Sequence, residues 1–515
     1  MTGLLIGLLV SQGLWAKAYG GTGFEEPYSM VQTTDGGFAV AGETFSFGAG
    51  SNDFLIVKLA PDGSLSWAKT FGGMTDDWKP SMVQTTDGGF AVAGSTLCFG
   101  AGSSDLILLK LASDGSLTWA RTYGGTSWDE VHSVIQTSDG GFAIAGETYG
   151  FAADETDVLV LKLASNGTLT WAKTFGGTGY DGAVASIIQT TDGGFALAVN
   201  TSSFSAYADF LVLKLASDGS LTWARTFRGA YNDGPESIIQ TSDGGFAIAG
   251  WTESSGAGRT DFLVLKLATD GSLTWARTFG GADWDEASSV IQTSDGGFAV
   301  VGFTWSFGAG GDDFLMLKLT SDGSLIWARI FGGASRELGH SIVQTSDGGF
   351  AIAGHTQSFG AAGDFIVLKI DPNGNYPDCV QGCSPVIGTP SLTTSSPSLG
   401  AVCSPTTTSP SPTVTTPTLT VTDACPPSWN EEADLSRPVS GITCSPVPGG
   451  ALFVSSGDMS IRIYAADGRL EYSGTLVKGQ NRITLEAGVY LWQAGECGDA
   501  GAPAYPASFG KAVVR

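Results

Sequence analysis

Positive charge and histidine are both scarce in this chain. Its 515 residues include 25 Lys and Arg against 50 Asp and Glu, a formal net charge of −25, and only three histidines. A surface this acidic repels phosphate backbones and anionic headgroups, which excludes nucleic acid and membrane surfaces as partners. His132, His340 and His355 have no Ser, Cys or metal-ligand companions at a recognisable spacing, so no catalytic residue and no metal ligand is assigned. His132 and His340 share a repeat position just before a strand, which favours packing over a site. No transmembrane segment is present, since the apolar run Leu4 to Val10 is too short to cross a bilayer. Residues 1–13 read instead as a truncated signal segment, without the basic flank or a clean small-x-small cleavage site. Cysteine is nearly absent from the first 375 residues of the chain. Cys98 stands alone there, whereas Cys379, Cys383, Cys403, Cys425, Cys444 and Cys497 crowd the remainder. Those six read as disulfides of an oxidising compartment, with open connectivity, and the lack of nearby histidine disfavours zinc.

A 3.6-residue hydrophobic period is missing as well, which excludes helical architectures. In its place is a repeat. Trp15, Trp67, Trp119, Trp171, Trp223, Trp275 and Trp327 are spaced by 52 residues, and Asp-Gly-Gly-Phe recurs from Asp35, Asp87, Asp139, Asp192, Asp243, Asp295 and Asp347. Each unit holds four strand-length runs, typified by SIIQT, FAIAG, DFLVLKL and LTWARTF. The first two are joined by Asp-Gly-Gly and the last two by Asp-Gly or Asn-Gly, pairs that permit the positive φ of tight hairpins. Seven four-stranded antiparallel units predict an all-β, seven-bladed β-propeller over residues 14–374. The phase of the repeat adds a detail. The last unit ends at Asp371 without a Trp strand, and Leu14–Tyr19 precedes the first unit, so the N-terminal strand is expected to close the last blade.

The seven copies can be compared with one another. Residues present in all of them belong to the scaffold. Such are the third-strand lysines Lys58, Lys110, Lys162, Lys214, Lys266, Lys318 and Lys369, expected to meet repeated aspartates because a buried ammonium needs a partner. Two segments vary: the stretch before the first strand and the connection between the second and third. Both lie at the same end of an up-and-down blade, where binding is expected. The first segment carries an acid in every copy, Glu25, Asp77, Asp129, Asp181, Asp233, Asp285 and Glu337, expected to accept loop N–H bonds or to surround a hard cation such as Ca²⁺. Irregular aromatics accompany it: Phe24, Trp78, Trp128, Tyr180, Tyr231, Trp284 and Trp305, with Trp251 nearby. Aromatics beside carboxylates suit a glycan or protein ligand.

The repeat resembles the DGG-type propeller repeats of secreted bacterial and archaeal proteins, and its KLxxDGxxxW segment resembles the Trp-docking motif of quinoprotein propellers. Seven blades in place of the usual eight, and no adjacent cysteine pair, imply no quinone, and no other cofactor is assigned. Residues 375–433 are a Thr/Ser/Pro-rich linker, read as a spacer or stalk. Residues 434–515 return to strand patterning and are expected to form a small β-sandwich. Ser445-Pro446-Val447-Pro448, Ile463-Tyr464 before Asp467-Gly468-Arg469, Gly488-Val489-Tyr490-Leu491 and the terminal Gly510-Lys511-Ala512-Val513-Val514-Arg515 resemble a type IX secretion sorting domain. That resemblance implies an outer-surface location and the secretion machinery as a partner. The expectation is a secreted, non-catalytic binding or structural surface module. A polysaccharide-active hydrolase or lyase using loop carboxylates and a self-assembling repeat protein are the alternatives.

Overall fold

The structure is a computed structural model that describes residues 13–376, apart from short breaks at 101–102, 152–154, 205, 309–310 and 361, and beyond 376 the backbone of short strands. The expected signal segment therefore lies outside the described residues, except for Gly13. Six of the seven blades are built alike. Blade 1 runs Glu25–Gln32, Phe38–Thr44, Asp53–Leu59 and Leu65–Gly72, from the ring axis outward, each strand antiparallel to the next. Blades 2 to 7 begin at Asp77, Asp129, Asp181, Asp233, Asp285 and Glu337. The chain is a seven-bladed β-propeller.

Blade 7 takes its outer strand from the other end of the chain. Trp15–Gly20 lies antiparallel to Asp364–Ile370, with Trp15 opposite Lys369 and Tyr19 opposite Phe365. Trp15 is only 7% exposed and occupies the same place as the other six tryptophans. Its ring meets Phe38 of blade 1 edge-on at 5.8 Å, as Trp67 meets Phe90 and Trp327 meets Phe350. Each indole covers the turn glycine of the next blade. A Cβ on Gly63, which also sits at φ +75°, would come within 2.7 Å of Trp15, so this turn requires glycine twice over.

The second and third strands are buried on both faces, which explains their unbroken apolar runs in an antiparallel sheet. Along FAVAG, Phe38 and Val40 face Ala351, Ala353 and Phe365 of blade 7, while Ala39 and Ala41 face Phe90 and Val92 of blade 2. The bulky side of each blade thus fills the space over the small side of its neighbour. The repeated lysines behave as their sequence context requires. Lys58 Nζ lies 2.9 Å from Asp35 Oδ2 and donates to the Leu59 carbonyl oxygen, and the pairing recurs in all seven blades. The partner is always the turn aspartate of the same blade.

Two features depart from the sequence reading. The innermost strand starts at the repeated acid, four or five residues before SIIQT, so the acids, His132 and His340 are strand residues and not loop residues. A β-bulge absorbs the added length and hides the strand period: pairing skips Tyr28, His132, Glu236, Ser288 and His340, with longer irregularities at Lys79–Pro80 and Ala183–Ala185. The Thr/Ser/Pro segment also does more than span a distance. Val380–Gly382, Val386–Gly388, Thr393–Ser395, Ala401–Val402, Thr406–Thr408, Thr413–Thr415 and Thr420–Asp423 each pair with the outer strand of one blade, in the order 6, 5, 4, 3, 2, 1 and 7. Outer strands otherwise present unpaired backbone groups, and Thr and Val between prolines supply short matching strands.

The chain divides into compact units at Pro426/Pro427. The second contains a three-stranded and a four-stranded antiparallel sheet, the latter ordered Leu470–Leu476, Met459–Ala465, Gly488–Glu496, Ser508–Val514. The β-sandwich expectation and the six-cysteine disulfide expectation rest on side chains outside the described residues. Among the described residues, Cys98 is a free thiol, and no helix is long and apolar enough to cross a membrane.

Candidate functional site

The repeated acids are enclosed. Each is at most 1% exposed and accepts the backbone N–H four residues before it, Gly21 to Glu25 at 2.8 Å, Gly73 to Asp77 at 2.9 Å and Gly333 to Glu337 at 2.6 Å among them. A threonine of the neighbouring strand adds a second bond, as Thr44 does to Glu25 and Thr201 to Asp181. Burial nevertheless pushes Asp77 up to about 7, and raises Asp129, Asp233 and Asp285. These carboxyls organise the turn from one blade to the next.

The predicted aromatics meet one another or a neighbouring ring in pairs. Trp78 and Trp128 lie 5.6 Å apart, and Trp284 stacks on Trp305 at 5.6 Å with 25° between planes. Tyr231 meets Tyr207 at 5.8 Å, and Phe24 lies 4.5 Å from the ring of His355. Tyr231, Trp284 and Trp305 are 40–55% exposed.

What sequence reasoning missed lies one to three residues further along the innermost strand. The bulge turns Tyr28, Lys79, His132, Glu236 and His340 into the central channel, where they line a cavity of about 530 Å³. A serine follows the bulge in every blade, and six of its bonds stitch the ring: Ser29 Oγ accepts Met82 N–H, Ser81 Oγ accepts Val134 N–H, and Ser341 Oγ accepts Met30 N–H. The serine is scaffold and the residue before it differs from blade to blade. Two further positions vary with it, the residue after each acid and the cross-strand partner of that residue. They pair Glu26 with Glu43, Glu130 with Glu147, Gly234 with Trp251, Glu286 with Phe303 and Leu338 with His355. The signal was available in the sequence, since all three positions are irregular inside otherwise repeated strands.

The electrostatics here are dominated by carboxyls. Burial, then the neighbouring Glu286, pushes Glu236 up to about 7; burial, then Asp312, does the same to Glu286. Glu26 and Glu43 are also raised, burial being the main cause for both. Tyr28 donates to Glu43 at 3.0 Å, and Trp251 Nε1 donates to Glu236 at 3.3 Å. Burial, His355 and Arg336 hold His340 down at about 3, so its 3.5 Å contact with Glu26 joins a neutral ring to a carboxyl. Glu147 is the exception. Burial opposes its ionisation, but His132, the Ala183 N–H and the Tyr180 hydroxyl together bring it down to about 2. The arrangement suits a ligand that is neutral or cationic and that offers hydrogen-bond donors.

The family described as a domain of unknown function (DUF5122) beta-propeller matches residues 35–65, within blade 1. No curated protein matches the chain. Among solved structures, the periplasmic gluconolactonase PpgL of Pseudomonas aeruginosa is similar at 12% identity and a TM-score of 0.42, over 76% of this chain and 100% of that one. The Neurospora crassa Pan2 WD40 domain is similar at 11% identity and a TM-score of 0.42, over 68% and 91%. A protein of unknown function from Dyadobacter fermentans is similar at 11% identity and a TM-score of 0.39, over 69% and 98%.

Proposed function

We propose that this chain is a secreted, cell-surface binding module whose propeller captures a neutral or amine-bearing glycan at the channel end of the ring. The observation that carries this reading is the segregation of variability. The scaffold repeats, while three positions per blade differ, and the bulge position among them lines one cavity. Flat aromatic pairs such as Trp284 and Trp305 offer sugar rings a platform. The carboxyls accept hydroxyl or ammonium hydrogens and repel sulfated or uronic polymers.

Calorimetry against soluble neutral, amino and acidic polysaccharides is expected to show binding of the first two classes alone. Trp284→Ala with Trp305→Ala should weaken it about 10–100-fold, since each lost stack is worth about 0.5–1.5 kcal/mol beyond its area. Tight binding of the acidic polymers, or an unaffected double variant, overturns the reading. One observation favours an enzyme instead: burial with Glu286 nearby pushes Glu236 up to about 7, and burial with Asp312 nearby does the same to Glu286, the range a general acid needs. Turnover of the bound polymer, abolished by Glu236→Gln with binding retained, would select that reading.

Export is assigned to residues 441–515 on their resemblance to a sorting domain and on the cysteine-rich composition around them. Fused to a periplasmic reporter in a host with type IX machinery, this segment is expected to deliver the reporter to the outer surface. Retention in the periplasm would overturn the assignment.

A further inference from the structure

The geometry points to a binding site for one divalent transition-metal ion of the zinc class, formed by Glu130, His132 and Glu147 of blade 3 at the wall of the channel. The inference is independent of the glycan reading. One atom from each side chain lies within 4.8 Å of the others, the only such trio of His, Cys, Asp or Glu among the described residues. Glu130 and Glu147 are direct cross-strand neighbours, a placement that repels unless a cation intervenes. The bulge between Val131 and Ser133 sets His132 beside them, with Nε2 buried, 3.8 Å from Glu147 Oε2 and outside hydrogen-bond distance of any partner.

Each carboxylate is held by outer donors through one oxygen. Trp128 Nε1 donates to Glu130 Oε1 at 2.6 Å. The Ala183 N–H and the Tyr180 hydroxyl donate to Glu147 Oε2, at 2.6 and 2.9 Å. Such outer partners fix ligand orientation in metal sites. Lys79 approaches Glu130 Oε2 only to 3.7 Å, on a side chain 46% exposed and able to withdraw. Backbone strain is concentrated around the trio. Lys79 and Ala183, in the blades on either side, are the two non-glycine residues with positive φ among those described, at 52° and 43°. Ala183 adopts it where an extra residue in blade 4 delivers its N–H to Glu147. One imidazole and two carboxylates suit Zn²⁺, Co²⁺ or Mn²⁺, and three protein ligands leave a position open to the cavity.

Blade 1 supplies an internal control. It repeats the glutamate pair as Glu26 and Glu43 but has Tyr28 where blade 3 has His132, and the tyrosine hydroxyl donates to Glu43. His132→Tyr therefore rebuilds an arrangement this fold already contains. Titration of the metal-free full chain with Co²⁺, read by calorimetry and visible absorption, is expected to show one more bound ion in the parent than in H132Y. That ion should show weak d–d bands without thiolate charge transfer, which separates it from ions taken by cysteines. Tyr180→Phe should retain the ion with affinity lowered roughly 10–100-fold. Equal stoichiometry in parent and H132Y, with metal-free melting temperatures matched, overturns the site; if H132Y proves unstable, Glu147→Gln is read in the same way.

Discussion

Deleting residues 14–20 is expected to abolish the folded monomer. The strand Trp15–Gly20 is five residues of pairing against Asp364–Ile370, yet its removal acts on two blade interfaces at once. Trp15 and Tyr19 leave the core shared with Phe38, Val40 and Leu55 of blade 1, and blade 7 loses its outer strand. Tyr19 also donates to the Gly63 carbonyl, and Trp15 Nε1 to that of Pro61, so one buried and one partly buried carbonyl lose their donors. Truncating one large aromatic costs about 3–5 kcal/mol, and two together approach the 5–15 kcal/mol that holds an ordinary domain folded. Trp15→Ala alone should destabilise as much as Trp67→Ala, because both indoles cover the next blade's turn glycine and meet its phenylalanine edge-on. Circular dichroism melts and size-exclusion chromatography check this. The deletion variant should appear unfolded, or as oligomers in which a second copy supplies the missing edge. A monomer melting within a few degrees of the parent would show that the ring does not depend on this closure.

The closure was legible because it follows from counting. Seven tryptophans with the first ahead of the first turn leave one blade short of a strand, and no geometry is needed to see it. The Lys–Asp pairing was legible in kind, since a lysine inside LVLKL must find an acceptor; the identity of Asp35 as partner of Lys58 needed the hairpin register. The residues lining the channel were not legible from the strand period. Glu25 and its six counterparts were expected to accept loop N–H bonds, and the fold commits them to backbone N–H groups. The residues that reach the channel, Tyr28, His132, Glu236 and His340, sit on a bulge, where one added residue breaks the period-2 rule by which a strand's face is assigned. Copy-to-copy comparison carried that information all the same, as the residue ahead of each repeated serine is the one that changes. The strands between Val380 and Asp423 were illegible for another reason: two to four residues of Thr and Val between prolines show no alternation to detect.

The stability of the chain is expected to peak at roughly pH 4–5 and to fall toward neutrality, unlike the broad neutral optimum of most domains. Two populations of carboxyl set this, opposed in part by His340, whose hold at about 3 adds stability as pH rises from 3 toward 6.5. The turn aspartates Asp35, Asp87, Asp139, Asp192, Asp243 and Asp295 are held down at about 2. The donors are the neighbouring threonine, the buried lysine and a glycine N–H, working against a desolvation cost that is largest for Asp35, Asp243 and Asp295. Their folded pKa lies below the unfolded one, so their contribution is present above pH 4 and is lost as pH falls from 4 toward 2. The second population is raised by burial first of all: Asp77, Glu236 and Glu286 to about 7, Asp261 to about 6. Here the folded pKa lies above the unfolded one. The contribution is complete below pH 4 and disappears as pH rises through 4 to 7, because ionising these groups in the folded state costs more than in the unfolded chain. A net charge of −25 adds self-repulsion in the same direction. The exposed position of the turn aspartates weakens the acid limb through screening, so the fall toward neutrality is the steeper one. Thermal melts in low-salt buffers from pH 3 to 8 should show a loss of about 5 °C or more between pH 4.5 and pH 7. Glu236→Gln with Glu286→Gln should recover part of that loss at pH 7 and change nothing at pH 4.5. A melting temperature that still rises between pH 5 and 7 would mean that the channel carboxyls ionise freely, and that water or counterions reach them in the closed ring.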